Sequence, residues 1–159
     1  MTYFTTFLSP RTPQPELRTL RLIAGRPHGL ERLLVASGRM AAGYHGYVHL
    51  HSGDEVVRIL SGEAVVRIDD ERQTCREGDI AVIPPNTLHG LRAVDDTLVE
   101  IIAERDMGTF FPVRQADGSR RLVEIYRPDS PWNAPPPRPG GYTTDGELAA
   151  ILEAIDVEI

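Results

Sequence analysis

Between residues 19 and 103 the chain is cut into short runs of Val, Ile and Leu, and no long helical pattern interrupts them. The runs at 20–24, 33–36, 47–51, 55–60, 64–68, 80–83, 88–93 and 98–103 are separated by Gly, Pro or Asp. They recur about every eight to twelve residues, the spacing of short strands joined by tight turns. Such strands bury their apolar faces only by closing on one another as an antiparallel sandwich or barrel. A βαβ fold would need helical segments between them. Residues 122–126 read as one more strand, so the barrel is placed at 19–126. No repeat of domain-forming period is visible, which leaves one barrel.

The flanks differ from this core. Residues 1–18 carry Pro10, Pro13 and Pro15 and read as an extended arm. Tyr3, Phe4, Phe7 and Leu8 are poor candidates for open solvent, and the arm is expected to add a strand to a neighbouring sheet. Residues 127–143 include Pro128, Pro131, Pro135, Pro136, Pro137 and Pro139, which exclude a helix or an interior strand. With Trp132 among them, they read as an extended segment wrapping the domain. Residues 144–159 read as a helix. Thr144 and Glu147 stand at capping-box spacing, and Leu148, Ile151, Leu152 and Ile155 form one apolar stripe. The helix is expected over about 145–157, against the outside of the barrel or a partner subunit.

Composition removes several classes of function. All 17 basic residues are Arg, so Schiff-base and P-loop lysine chemistries are out. The net charge of −6, with no basic cluster beyond Arg120-Arg121, argues against nucleic acid as a partner. Cys75 is the single cysteine, which excludes an internal disulfide and Cys-based zinc sites. No run approaches the roughly 20 apolar residues of a membrane span. A cytoplasmic protein without membrane contact is the expectation. The all-Arg usage fits a GC-rich genome, and secondary metabolism would suit that origin.

Three of the five histidines fall in one arrangement. His49 and His51 alternate along a strand and so share a face. Ser52-Gly53-Asp54 can turn the chain, and Glu55 then opens the return strand beside them. Further on, Pro84-Pro85-Asn86 leads into a strand that starts at His89. Imidazoles and a carboxylate converging in this way suit a first-row divalent metal.

These residues resemble the two motifs of the cupin superfamily. Gly43, His49, His51, Glu55 and Gly62 match the first, Gly-x5-His-x-His-x3-Glu-x6-Gly, at every fixed position. Gly78, Pro84 and His89 match the second, Gly-x5-Pro-x-Gly-x2-His-x3-Asn, with Asn86 in place of its second Gly and Ala93 in place of its Asn. Asn86 tolerates positive φ, so the turn survives. Ala93 leaves that part of the interior more apolar. The resemblance covers about residues 19–103, with a motif core at 43–93. It implies an all-β, antiparallel jelly-roll barrel with a short C-terminal α-helix. It also implies His49, His51, Glu55 and His89 as metal ligands. The cofactor is then one divalent transition metal per chain, Fe2+ first, with Mn2+, Zn2+, Ni2+ or Co2+ as alternatives. A homodimer is expected, since the family commonly pairs its open sheet edges.

Around this set, Tyr47 and His45 share the parity of His49 and are the candidate catalytic acid–base groups. Val57 and Ile59, in phase with Glu55, and Leu91 and Ala93, in phase with His89, are expected to line an apolar pocket. Arg58 then points outward. Phe110 and Phe111 read as packing at one barrel end, His28 as a solvated loop residue and Cys75 as an inert thiol. The favoured function is an Fe(II)-dependent oxygenase acting on a small hydrophobic or aromatic substrate. A redox-neutral isomerase, lyase, decarboxylase or polyketide cyclase is the second reading. A non-catalytic module binding a metal or small ligand is the third.

Overall fold

The computed structural model describes residues 4–5, 18–127 and 141–159. Twelve strands and one helix are described: β1 (Phe4–Thr5), β2 (Arg18–Ala24), β3 (Leu33–Met40), β4 (Leu50–His51), β5 (Glu55–Ser61), β6 (Glu63–Ile68), β7 (Glu71–Arg76), β8 (Ile80–Ile83), β9 (His89–Ala93), β10 (Thr97–Glu104), β11 (Thr109–Arg114), β12 (Arg120–Ile125) and α1 (Asp145–Glu153). The all-β, jelly-roll expectation is met. One antiparallel sheet runs β1-β2-β3-β10-β5-β8. The opposing layer consists of two three-stranded pieces, β12-β11-β4 and β7-β6-β9. The chain leading into β4 pairs with β9 through the bridges His49↔His89 and His45↔Arg92 and through further backbone hydrogen bonds from Gly43 to Ala93, from Gly46 to Leu91 and from Ala93 to Tyr44. That seam between the two pieces is where the histidines sit.

Alternation along the strands makes the core. In β3 and β10 every second residue is buried, and Leu34, Ala36, Met40, Val99, Ile101 and Ala103 point inward together. Val57 and Ile59 join them from β5, while Arg58 is exposed, as its parity requires. Ala64, Val66, Cys75 and Ala93 close the core from the opposing layer. Cys75 is buried, and burial with the nearby Asp79 pushes its thiol pKa up, which fits an inert side chain.

Two strands escape the apolar pattern. β7 exposes five of its six residues and buries only Cys75, so it shows no run of Val, Ile or Leu. It lies at an edge of its three-stranded piece and pairs only with β6 there, where polar side chains are the rule. β11 contains Pro112. β4 pairs only with Thr109 and Phe110, so at Pro112 the ladder continues on the β12 side alone and the missing N–H is tolerated. Phe110 and Phe111 therefore belong to a strand. Phe4–Thr5 pairs with Leu20 and Arg21 of its own chain, so this part of the arm extends its own sheet. The rest of the arm's apolar residues and most of the proline segment, Trp132 included, lie outside the described residues.

The helix forms where the capping box predicts. Thr144 Oγ1 accepts from the Glu147 N–H at 3.2 Å, and the Glu147 carboxylate accepts from the Thr144 N–H at 2.8 Å. The helix ends at Glu153, short of 157, and the chain then runs on without helical pairing to Ile159. No described helix is long and apolar enough to cross a membrane.

Two motif glycines test the turns that hold the sheets together. Gly43 and Gly62 both have φ near +80°, at 81° and 82°. A Cβ at Gly43 would meet nothing within 4 Å, whereas one at Gly62 would lie 2.4 Å from the Asp96 carbonyl oxygen. Gly43→Ala should thus cost only backbone strain, about 1–2 kcal/mol. That corresponds to a fall in Tm of roughly 2–8 °C. Gly62→Ala should fall clearly further, because the backbone of the turn at residues 95–97 must also move. Thermal melts of the two variants, compared side by side, check this ordering.

Candidate metal centre

Each histidine reaches the centre from a different local constraint. His51 ends the two-residue β4, beside Thr109 of β11. His49 lies two residues earlier and pairs with His89 across the seam, through N–H to carbonyl bonds of 3.0 and 2.8 Å. His89 follows the Pro84-Pro85-Asn86 turn. Asn86 adopts φ 63°, the conformation expected where the motif places Gly, and its N–H donates to the His51 carbonyl at 2.7 Å. The turn that delivers His89 is thus tied to the residue it must meet.

The ligand atoms of His49, His51 and His89 all lie within 4.8 Å of one another. Their ring centroids are 4.4 to 5.2 Å apart. His49 Nδ1 is 2.7 Å from the Tyr47 carbonyl and His89 Nδ1 is 2.9 Å from the Thr87 carbonyl. A carbonyl oxygen only accepts, so each Nδ1 carries the proton and each Nε2 is left as a lone pair. His51 Nδ1 is held at 3.1 Å from Thr109 Oγ1. These contacts to the second nitrogen are what orients a ligating imidazole. Glu55, reaching across from β5 in the first sheet, places Oε2 at 3.1 Å from His51 Nε2 and 3.9 Å from His89 Nε2.

Chemistry says whether these residues fit an ion. His89 Nε2 is buried and has no hydrogen-bond partner among the described residues. An orphaned buried acceptor costs about 1–3 kcal/mol, and a cation at this position would satisfy it. Burial, together with the neighbouring His89 and His51, holds the His49 imidazole well below its ordinary value. Burial likewise lowers His89, and the opposing pull of Glu55 does not reverse this. Two nitrogens are thereby kept neutral, the form a metal needs. Burial alone would raise the Glu55 carboxyl. The hydrogen bond from His51 and the neighbouring His51 and His89 rings outweigh it, and the group sits below the usual carboxylate value. The three histidines could hold one metal ion, and the anionic Glu55 stands beside them.

The other predicted site residues differ in placement. The Tyr47 side chain packs against an apolar cluster of Phe111, Val113, Ile125, Leu152 and Ile155, while its carbonyl holds His49. His45 does not face the interior: it is exposed, across the bridge from Arg92, and its imidazole is lowered by partial burial and by Arg92. Val57, Ile59, Ala93 and, less deeply, Leu91 pack within the main apolar core. His28 is exposed, and its Nδ1 accepts from the Gly25 N–H at 3.2 Å, closing a 3-10 turn. Two contributors escaped the sequence reading. Thr109 holds His51, and Phe111 stacks on His49 with ring centroids 5.5 Å apart and planes 26° from parallel. Their signal was the alternation Thr109, Phe111, Val113, which Pro112 obscured. The helix packs on the β11 face that carries Phe111, next to the histidines.

Residues 36–103 match the family model described as a cupin domain. No curated protein matches the sequence. Among solved structures, an RmlC-like cupin from Shewanella frigidimarina is 18% identical, over 65% of this chain and 84% of that one, with a TM-score of 0.55. KdgF from a Halomonas species is 24% identical, over 56% and 79%, with a TM-score of 0.52. Salicylate 1,2-dioxygenase from Pseudoaminobacter salicylatoxidans is 17% identical over 55% of this chain, but over only 25% of its own longer chain, with a TM-score of 0.52. At these identities the likeness shows the fold.

The lowered imidazole values set a pH dependence for the metal-free protein. An unfolded chain takes up protons at these histidines near the ordinary value of 6.5, before the folded chain does. Stability should therefore be insensitive to these two groups well above that pH and should be lost as pH falls through their lowered values. Melts of chelator-treated protein from pH 8 to 5 should show a Tm that drops below about pH 6.5. Replacing His49 and His89 together by Gln should flatten that drop.

Proposed function

This chain belongs to the cupin superfamily, and from the three histidines gathered at one point of its barrel we infer that it is a mononuclear divalent-metal enzyme. The orphaned, buried His89 Nε2 is the observation that carries this reading. His49, His51 and His89 would hold the ion and Glu55 would complete the set through an oxygen. Fe(II) is the favoured metal, and it supplies open coordination positions and one-electron chemistry toward O2. The chain does the rest. The Tyr47 and Thr87 carbonyls and Thr109 Oγ1 fix the three rings. Glu55 offsets part of the ion's charge in a place where water is scarce. Phe111, stacked on His49, supports a small hydrophobic or aromatic substrate.

An oxygenase is the reading best supported. A redox-neutral Lewis-acid reaction would call on Tyr47 or His45 to move a proton. His45 is exposed, and Tyr47 packs under the helix. Exposed Ile80 and Val82 on the edge strand β8, 58% and 63% accessible, also support the proposal of a homodimer.

Metal analysis of protein purified without chelators should find about one iron per chain. His89→Ala or His49→Ala should lower metal affinity by at least about 10–100-fold while leaving a folded barrel. Oxygen uptake should then be seen with a member of an aromatic and hydrophobic substrate panel, and should stop on chelation. Zinc or nickel in place of iron, with no uptake, would favour the redox-neutral reading.

A further inference from the structure

The layer that bears the histidines has a seam where they sit. Its two halves, β12-β11-β4 and β7-β6-β9, are joined there by backbone hydrogen bonds between residues 43–49 and β9 that form isolated bridges and not one regular strand pair. Residues 152–159 cross from one half to the other. On the first half, Leu152 and Ile155, 3% and 2% accessible, are buried in the cluster that contains Phe111. The Ala154 carbonyl accepts from the Arg114 N–H of β11 at 3.0 Å. The Asp156 carboxylate takes Arg114 and Arg120, the latter through two bonds of 2.9 and 3.1 Å. On the second half, the Glu158 carbonyl accepts from Arg67 of β6, a guanidinium on a residue only 8% accessible, and from Arg72 of β7 at 3.3 Å. Ile159 lies against Gly90 of β9, where a Cβ would be 2.9 Å from its side chain.

Both ends of this crossing bear on a metal-binding histidine. Ile155 and Leu152 back Phe111, whose ring stacks on His49. Ile159 rests on Gly90, the residue after His89, and Arg67 is the register partner of Gly90. We propose that residues 152–159 act as a clamp across the seam, and that Leu152, Ile155, Asp156 and Phe111 are positioning residues that hold His49 and His89 in register. The clamp touches no metal. It acts through Phe111 on one side and Gly90 on the other, and it accounts for the burial of an arginine beneath a carbonyl of the final residues. For its effect on ion affinity the inference rests on the metal reading above; for the order of the rings it does not.

The test uses the full chain carrying Ile155→Ala or Asp156→Asn, with Ile155→Val as the conservative variant and Leu20→Ala as a core control in the first sheet. Zn2+ affinity is measured by competition with a chelating dye. Ile155→Ala and Asp156→Asn should bind about tenfold more weakly, as when other supports of a ligating imidazole are removed. Ile155→Val should restore most of the loss. Leu20→Ala should lower Tm without moving affinity. Imidazole 15N spectra of the metal-free proteins give the second readout: one fixed Nδ1–H tautomer for His49 and His89 in the wild type, and exchange-averaged signals in Ile155→Ala. Affinity and tautomer both unchanged in Ile155→Ala, with only Tm reduced, would overturn the clamp. If the wild type bound no divalent ion, the metal reading would fall, and the imidazole spectra alone would decide the clamp.

Discussion

Three imidazoles and a carboxylate share the interior of an otherwise apolar barrel, and the surrounding fold is arranged around satisfying them. Such groups are costly to bury unless every proton and lone pair has a partner. The Tyr47 and Thr87 carbonyls take the Nδ1 protons of His49 and His89, and Thr109 meets His51. Glu55 comes from the opposite sheet to face His51 and His89. One acceptor, His89 Nε2, is left over. That imbalance marks the cluster as one that could hold a metal ion.

The position of the cluster follows from topology. Glu55 opens β5 in the six-stranded sheet, whereas the histidines lie on the opposing layer, so the site ties the two layers together. The layer holding the histidines is divided at that place, because β4 is only two residues long and the strand before it pairs with β9 through isolated bridges. A broken ladder leaves room for side chains to converge. The backbone bonds between His49 and His89 and from Asn86 to His51 still hold them. Phe111 and residues 152–159 add packing, ion pairs on one side of the seam and hydrogen bonds on the other.

The buried apolar residues form two packing units. The main core lies between the sheets and contains Leu34, Ile59, Val99 and Ala93. The second cluster joins β11, β12 and the helix around Phe111, Ile125 and Leu152. His49 touches this second unit through the stacked Phe111 ring. Rigidity at the site is therefore borrowed from a helix that belongs to neither sheet.

Most of the strands, the turn at Asn86 and the capped helix were legible in the sequence, and so was the convergence of His49, His51 and Glu55, although Glu55 comes from the opposite sheet and not from a return strand paired with theirs. Each rests on local chemistry: side-chain alternation, turn residues with special φ, and a cap three residues from its partner. β7 and β11 were not legible, since one is a polar edge and the other contains Pro112. Alternation also placed His45 with His49, but the chain between them pairs only intermittently, and His45 faces solvent. Thr109, Phe111 and the crossing by residues 152–159 were settled by tertiary structure alone. Their partners are 58, 62 and 36 to 91 residues away in sequence. No local pattern encodes which distant surface a strand or a final segment will meet. That is decided only when the sheets close and the remaining apolar faces must find one another.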